Sequence, residues 1–135
     1  MFSYSKNFWA LTFAMFLFMT SFNLILPELN DFITDLDGKE YKGLIISLFS
    51  VSALISRPFA GKLADNVGRK STMYVGTIIC VVITFIYPLS GSVSFFLLLR
   101  FMHGFSSGFL PTGATALITD ILPPERRGQG IGVFG

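Results

Sequence analysis

Four long apolar stretches, almost free of charge, constrain this chain more than any other feature. They cover residues 8–26, 43–61, 71–99 and 101–119, and the only Lys, Arg, Asp or Glu inside them is Arg57. A helix needs about 20 mostly apolar residues to cross ~30 Å of hydrocarbon. Charged residues make up 13% of the chain, whereas soluble domains carry about 25%. The pattern therefore predicts an integral membrane protein.

The third stretch is too long for one ordinary span, because a helix over 71–99 would be ~43 Å long at 1.5 Å per residue. Pro88, followed by Ser-Gly-Ser at 90–92, offers a turn. We therefore predict an all-α, polytopic membrane bundle with helices near 7–27, 42–61, 71–90 and 94–119. A single helix over 71–99 is the alternative. A fifth helix begins near residue 128 and ends with the chain, so we expect residues 1–135 to be the front part of a longer protein.

The connections between these helices carry their basic residues unequally. The N-terminal tail and one set of loops hold Lys6, Lys62, Arg69, Lys70, Arg126 and Arg127, whereas the other set holds only Lys39 and Lys42. The positive-inside bias places the first set and the N-terminus in the cytoplasm, which predicts a protein of the cell (inner) membrane. Tyr41 and Tyr87 then fall near the outer interface, where aromatic side chains are enriched.

Several functional classes find no support in the residues. The net charge of +2 indicates no nucleic-acid partner, and the single Cys80 cannot form an internal disulfide. Gly104 to Gly108 matches G-x-S-x-G beside His103, but that hydrolase motif needs a strained strand-to-helix turn. Here the motif lies in a helical apolar stretch. We therefore predict no enzyme, no metal and no cofactor, with an intramembrane serine hydrolase as an alternative.

Three motifs occur in order along the predicted helices. Residues 61–70 read GKLADNVGRK, which is G-x-x-x-D-x-x-G-R-K between helices 2 and 3. Helix 4 carries Arg100, His103, Gly104 and Gly108, and PPERRG at 123–128 precedes the fifth helix. Together they resemble the signature loop, the R-x-x-Q-G-x-x-x-G segment and the loop into helix 5 of the major facilitator superfamily of secondary transporters. His103 stands where that family usually has Gln.

The resemblance implies a fold and an activity. The chain would be the first part of the N-terminal six-helix half of a twelve-helix transporter, covering about a third of it. Such a protein moves a small solute by alternating access, here with protons as the expected coupling ion and drug or metabolite efflux favoured. The implied partners are a small-molecule substrate, protons, the lipid bilayer and a C-terminal half that this chain lacks. The alternative is a four-helix membrane protein that oligomerises as a small exporter or a scaffold.

The resemblance assigns Gly61, Asp65, Gly68, Arg69 and Lys70 to a cytoplasmic gate loop. A glycine at position 61 would let the end of helix 2 approach another helix closely, and Gly68 would allow a tight turn. In the family the Asp meets the start of a helix in the second half of the molecule, where the helix dipole favours a carboxylate. A polar hairpin that only orients the protein is the alternative.

Arg100 is the second candidate, because an arginine at a helix centre costs roughly 2.5–3.5 kcal/mol and usually faces a cavity or a partner. We predict that Arg100, His103 and Asn23 line a substrate or proton-coupling cavity, with Asn23 close to Arg100. The alternatives are that Arg100 snorkels to the outer interface and that His103 only packs between helices. Gly104 and Gly108 form a small-x-x-x-small face, which predicts close helix packing.

Overall fold

The computed structural model describes residues 4–135, and these fold into helices joined by short connections. The five α-helices are α1 (Lys6–Asp35), α2 (Lys42–Asn66), α3 (Arg69–Ile86), α4 (Val93–Ile121) and α5 (Arg127–Phe134). Single 3₁₀ turns lie at Lys39–Tyr41, Tyr87–Leu89 and Pro124–Arg126. Within the described residues, 4 helical segments are long and apolar enough to cross a membrane. The predicted bundle of four membrane helices with the start of a fifth is confirmed.

The turn between α3 and α4 shows that the alternative of one helix over 71–99 is wrong. After α3 ends at Ile86, the 3₁₀ turn leads to Ser92, whose hydroxyl accepts a hydrogen bond from Phe95 N at 3.3 Å. A serine in this position satisfies one of the free N–H groups at the start of a helix. The chain therefore starts a new helix here.

α1 is longer than predicted, because it continues through Pro27 to Asp35. Leu29 and Ile33 lie four residues apart on one face of this extension and are buried, so apolar packing holds the extra turns in place. The helix ends where Asp37 adopts a φ of 61° and Gly38 N donates to Ile33 O at 2.8 Å. Residues 28–35, predicted to be loop, are therefore helical.

α2 is also longer than predicted, and this changes the description of the gate loop. Ala60 and Ala64 are buried four residues apart, and the helix continues to Asn66. Gly61 and Asp65 therefore lie in the last turns of α2 rather than in a loop. The connection to α3 consists of Val67 and Gly68 alone. Gly68 has φ 139° and ψ 156°, a conformation that essentially only glycine adopts.

This conformation gives a first testable prediction. We expect Gly68→Ala to lower the free energy of unfolding by about 1–3 kcal/mol, because a Cβ is strained at such dihedral angles. Gly61→Ala is the matched control: a Cβ at Gly61 would meet no neighbouring atom within 4 Å, and alanine favours a helix interior by about 1 kcal/mol over glycine. Denaturant unfolding of the purified protein in detergent measures both. Equal stability of the two variants would contradict the strain at Gly68.

The core consists of two apolar clusters at opposite ends of the bundle with a polar layer between them. One end of the bundle holds the connection from α2 to α3, and we call it the α2–α3 end. There α1 packs against the second half of α4 through Phe8, Leu11, Met15, Leu110, Ala114, Ile118 and Leu122. The opposite end holds the connection from α3 to α4, and we call it the α3–α4 end. There the four long helices and the turn after α3 meet through Leu29, Ile33, Ile45, Ile83, Tyr87, Phe96 and Leu99. Between the clusters lie five buried polar side chains: Ser52, Ser56, Arg100, His103 and Ser106. Polar groups inside a membrane bundle usually mark a functional site.

α2 and α4 approach so closely that a side chain would not fit at two glycines of α4. A Cβ added at Gly104 would overlap Ser52 Oγ, and one added at Gly108 would overlap Ser56 Oγ. Both serine hydroxyls donate to carbonyls of their own helix, Ser52 to Phe49 O at 3.1 Å and Ser56 to Ala53 O at 2.9 Å. We call this contact the α2–α4 seam. It is the kind of close approach that small residues permit in membrane helices.

Candidate functional site

Arg69 joins the ends of three helices at the α2–α3 end of the bundle. Its Nη1 donates to Ala64 O at 2.6 Å and to Asp65 Oδ1 at 3.2 Å, and its Nε donates to Asp120 Oδ2 at 3.0 Å. Ala64 and Asp65 belong to the last turns of α2, Arg69 begins α3, and Asp120 lies at the end of α4. We call Ala64, Asp65, Arg69 and Asp120 the Arg69 cluster.

The acids of the Arg69 cluster face solvent. The side chain of Asp65 is 74% exposed and that of Asp120 is 53% exposed. Ion pairs this exposed contribute only about 0–1 kcal/mol to stability. The contact with Ala64 O also places a cation at the C-terminal end of α2, where the helix dipole favours positive charge. The cluster therefore holds three helix ends together through contacts that are individually weak and easily broken.

The other residues assigned to the gate loop lie outside these contacts. A Cβ at Gly61 would meet no neighbouring atom within 4 Å, so the expected close approach of a second helix does not occur among residues 4–135. Lys70 is exposed and forms no ion pair with the described residues. Sequence reasoning missed Asp120. The available signal was an isolated acid that ends an uncharged stretch just before PPERRG.

An open cavity of about 590 Å³ lies beside the Arg69 cluster, between α2, the start of α3 and the second half of α4. Its walls include Arg57, Arg69, Thr112, Thr115 and Asp120. Arg57 is exposed, and within residues 4–135 it forms no ion pair. The cavity thus combines hydroxyl groups with two arginines and one carboxylate.

Arg100 lies in the polar layer and is directed towards α2. Only 2% of it is exposed. Its Nε donates to Ile45 O at 2.7 Å, and its Cζ lies 4.2 Å from the centroid of the Phe49 ring, within the range of a cation–π contact. Its Nη1 lies 3.5 Å from His103 Nδ1. The guanidinium is therefore enclosed by protein, which contradicts the alternative that it snorkels to the outer interface.

His103 is the centre of the same group and is 1% exposed. Its Nδ1 lies 3.0 Å from the hydroxyl of Tyr87, and its Nε2 lies 3.6 Å from Cys80 Sγ. Tyr87 is 4% exposed, and the buried imidazole provides a partner for its hydroxyl; its place near the outer interface stays a prediction. We call Ile45, Phe49, Tyr87, Arg100 and His103 the Arg100 cluster.

Asn23 is not among the hydrogen-bond partners of Arg100 in the described residues. It is exposed, and its Nδ2 donates to Met19 O at 2.9 Å within α1. The neighbouring Phe22 contacts the cluster from α1, with its ring centroid 4.9 Å from that of His103. The proximity of Asn23 to Arg100 stays a prediction.

The geometry of Ser106 does not fit the hydrolase alternative. Ser106 is fully buried, and its hydroxyl donates to His103 O at 2.7 Å within α4. It lies inside a continuous helix, whereas a nucleophile of this motif needs a strand-to-helix turn that exposes it. The G-x-S-x-G match is therefore a coincidence of small residues on a packed helix.

The fold and its buried polar layer define a polytopic helical membrane protein, and comparisons identify the family. The family model of the Major Facilitator Superfamily matches residues 9–135. The quinolone resistance protein NorA of Staphylococcus aureus (strain Mu50 / ATCC 700699) is 32% identical over 130 residues, covering 95% of this chain and 33% of NorA. Multidrug resistance protein 2 of Bacillus subtilis (strain 168) is 32% identical over 120 residues, covering 87% of this chain and 30% of that protein.

The chain belongs to the major facilitator superfamily. It is an integral membrane protein, and its relatives are transporters rather than enzymes. The chain spans about a third of the length of the relatives it matches. The resemblance recognised from the three motifs is confirmed.

Proposed function

We propose that this chain is the first part of a drug exporter that couples efflux to proton entry by alternating access. In this mechanism two helical halves rock about a site near the membrane midplane. The support comes from family membership and from relatives named for quinolone and multidrug resistance. The Arg69 cluster is the main structural support for the proposal. It connects three helix ends through exposed, weak contacts, and a gate needs contacts that can form and break as it closes and opens.

We also propose that the α2–α3 end lies in the cytoplasm of a cell whose inner membrane holds the protein. The excess of lysine and arginine in the connections at this end supports the orientation. In the proposed mechanism the cytoplasmic gate comprises Gly61, Asp65, Gly68, Arg69 and Lys70. Arg69 orients the carboxylate of Asp65, and the exposed side of that carboxylate meets the C-terminal half of the proposed transporter.

The Arg100 cluster is proposed to lie on the translocation pathway. A buried guanidinium packed against the ring of Phe49 provides a fixed positive charge inside the bundle. Such a charge suits an anionic group of the solute or a proton carrier whose charge alternates. Asn23 and His103 complete the proposed cavity, which lies between the two halves and is exposed to one side of the membrane at a time as they rock.

Transport by the full-length protein tests the gate. We expect Arg69→Ala to lower quinolone efflux about tenfold or more, because the loss of one charged group that fixes geometry commonly costs about 1.4 kcal/mol or more. Lys62→Ala is the matched control: Lys62 is an exposed cation on α2 and forms no ion pair with the described residues. Efflux is measured as quinolone accumulation in cells with matched membrane expression.

Two outcomes would contradict the proposal. Equal efflux by Arg69→Ala and Lys62→Ala would show that the cluster has no role in gating. Robust proton-linked uptake into vesicles by residues 1–135 alone would instead support a small oligomeric transporter, since no second half would then be needed.

A further inference from the structure

The hydrogen-bond donors around His103 determine which of its nitrogens carries the proton. A guanidinium can only donate hydrogen bonds, and Arg100 Nη1 approaches His103 Nδ1 at 3.5 Å. This approach favours the tautomer in which Nδ1 presents its lone pair to the guanidinium. Tyr87 OH lies 3.0 Å from the same atom, so in this arrangement the hydroxyl and the guanidinium share its single lone pair. A neutral imidazole with a free Nδ1 carries its proton on Nε2, which points towards Cys80 Sγ at 3.6 Å.

The surroundings of His103 disfavour a second positive charge. The titratable or charged groups that face it are Arg100 on its own helix and Tyr87 and Cys80 from the α3 side. α1 and α2 contribute only the rings of Phe22 and Phe49. None of these contacts is a carboxylate. A protonated imidazole would therefore lie beside a guanidinium without a balancing anion, and it would lose the lone pair that Arg100 uses.

We propose that His103 is a positioning residue that holds the guanidinium of Arg100 against α2 and does not carry the coupled proton. The Tyr87 hydroxyl at 3.0 Å and the Arg100 guanidinium at 3.5 Å share the one lone pair of Nδ1, so the imidazole connects the turn after α3 to the buried arginine. The position of Arg100 is thus determined by Ile45 O on one side and by the imidazole on the other. The proposal deepens the proposed transport function and rests on it for the role of Arg100.

The protonation state of His103 can be tested without any transport. The chain contains 1 histidine, so ¹⁵N-histidine in the 135-residue region gives a single pair of ring signals, and segmental labelling isolates that pair in the full-length protein. We expect the neutral form with the proton on Nε2 throughout the range from about pH 5 to about pH 8 in lipid bilayers, where an unperturbed histidine titrates. Titration of the ring within that range, or a proton on Nδ1, would overturn the proposal.

Efflux by two variants at position 103 then distinguishes a positioning role of His103 from a role in proton transfer. We expect His103→Leu to lower efflux about tenfold, because a displaced functional group loses at least that much. We expect His103→Gln to restore efflux to within about threefold of the original protein with the same pH profile, because the amide oxygen accepts from Arg100. If His103 carried the proton, His103→Gln would lose about 100-fold or more, and its efflux would lose its pH dependence.

The ring signals and the efflux assay test separate claims, so one claim can be contradicted while the other stands. If the unmodified protein exports no quinolone, the proposed function fails, while the ring signals still report whether Nδ1 is an acceptor. If efflux is present and His103→Gln abolishes it, or if the ring titrates, the proposed function stands and the positioning role is overturned. A His103→Leu variant that does not fold leaves the ring signals and the His103→Gln variant to decide.

Discussion

Replacing Gly104 with leucine is expected to prevent α4 from packing against α2 and so to abolish recovery of a folded protein. Even a Cβ at this position would overlap Ser52 Oγ and press on the backbone of Phe49. A forced overlap in a packed core costs typically about 1–3 kcal/mol when side chains can adjust, and more when backbone must move. Size-exclusion chromatography in detergent, followed by denaturant unfolding, measures the loss.

Substitutions at positions 108 and 56 are expected to compensate each other's effect on stability. Gly108→Ala is expected to destabilise the protein because its Cβ overlaps Ser56 Oγ, and Ser56→Gly in the same chain should recover part of the loss. Gly43→Ala is the matched control, since a Cβ there would meet no neighbouring atom within 4 Å. If Gly104→Leu and Gly43→Ala gave equally stable, monodisperse protein, the α2–α4 seam would not have the described packing.

Replacing Arg100 with methionine is expected to lower efflux by the full-length protein about 100-fold while leaving the fold intact. Methionine fills a similar volume, and exchanging a buried charged group for a packed apolar one is often neutral for stability. The variant loses the bond to Ile45 O, the contact with the Phe49 ring and the bond to His103. Loss of a fixed charge that a mechanism uses has costs of this size.

Two further variants make the Arg100 test specific. Lys39→Met removes an exposed cation from the 3₁₀ turn before α2 and is expected to keep normal efflux. Arg100→Lys keeps a charge but loses the planar group that bonds Ile45 O and stacks on Phe49, so it is expected to remain impaired. Normal efflux by Arg100→Met would remove Arg100 from the proposed pathway.

The parts of the fold that sequence predicts well are those set by local physical chemistry. Apolar length and sparse charge define the four spans, and Gly68 marks the sharp connection between α2 and α3. Helix ends are predicted less well. In α1, for example, Pro27 and the acids after it indicate that the helix stops near residue 27. The structure continues α1 past them, since Leu29 and Ile33 gain more from tertiary packing than local preferences oppose.

The candidate site is predictable as a set of residues but not as a set of partners. The motifs name Asp65, Arg69 and Arg100, yet nothing local to them identifies Asp120 as the acid that pairs with Arg69 or Tyr87 as the phenol beside His103. Those pairings join residues 51 and 16 positions apart. They depend on how α3 and α4 are registered, which only the packed structure defines.

The seam between α2 and α4 also has a mechanical consequence. Gly104 and Gly108 of α4 lie so close to the serines of α2 that the contact opposes sliding of one helix on the other, and we expect the two helices to move together. Asp65 lies thirteen positions along α2 from Ser52, about 20 Å at 1.5 Å per residue. A tilt of the pair by a few degrees about that serine would therefore move the carboxylate by about an ångström relative to a partner outside the bundle.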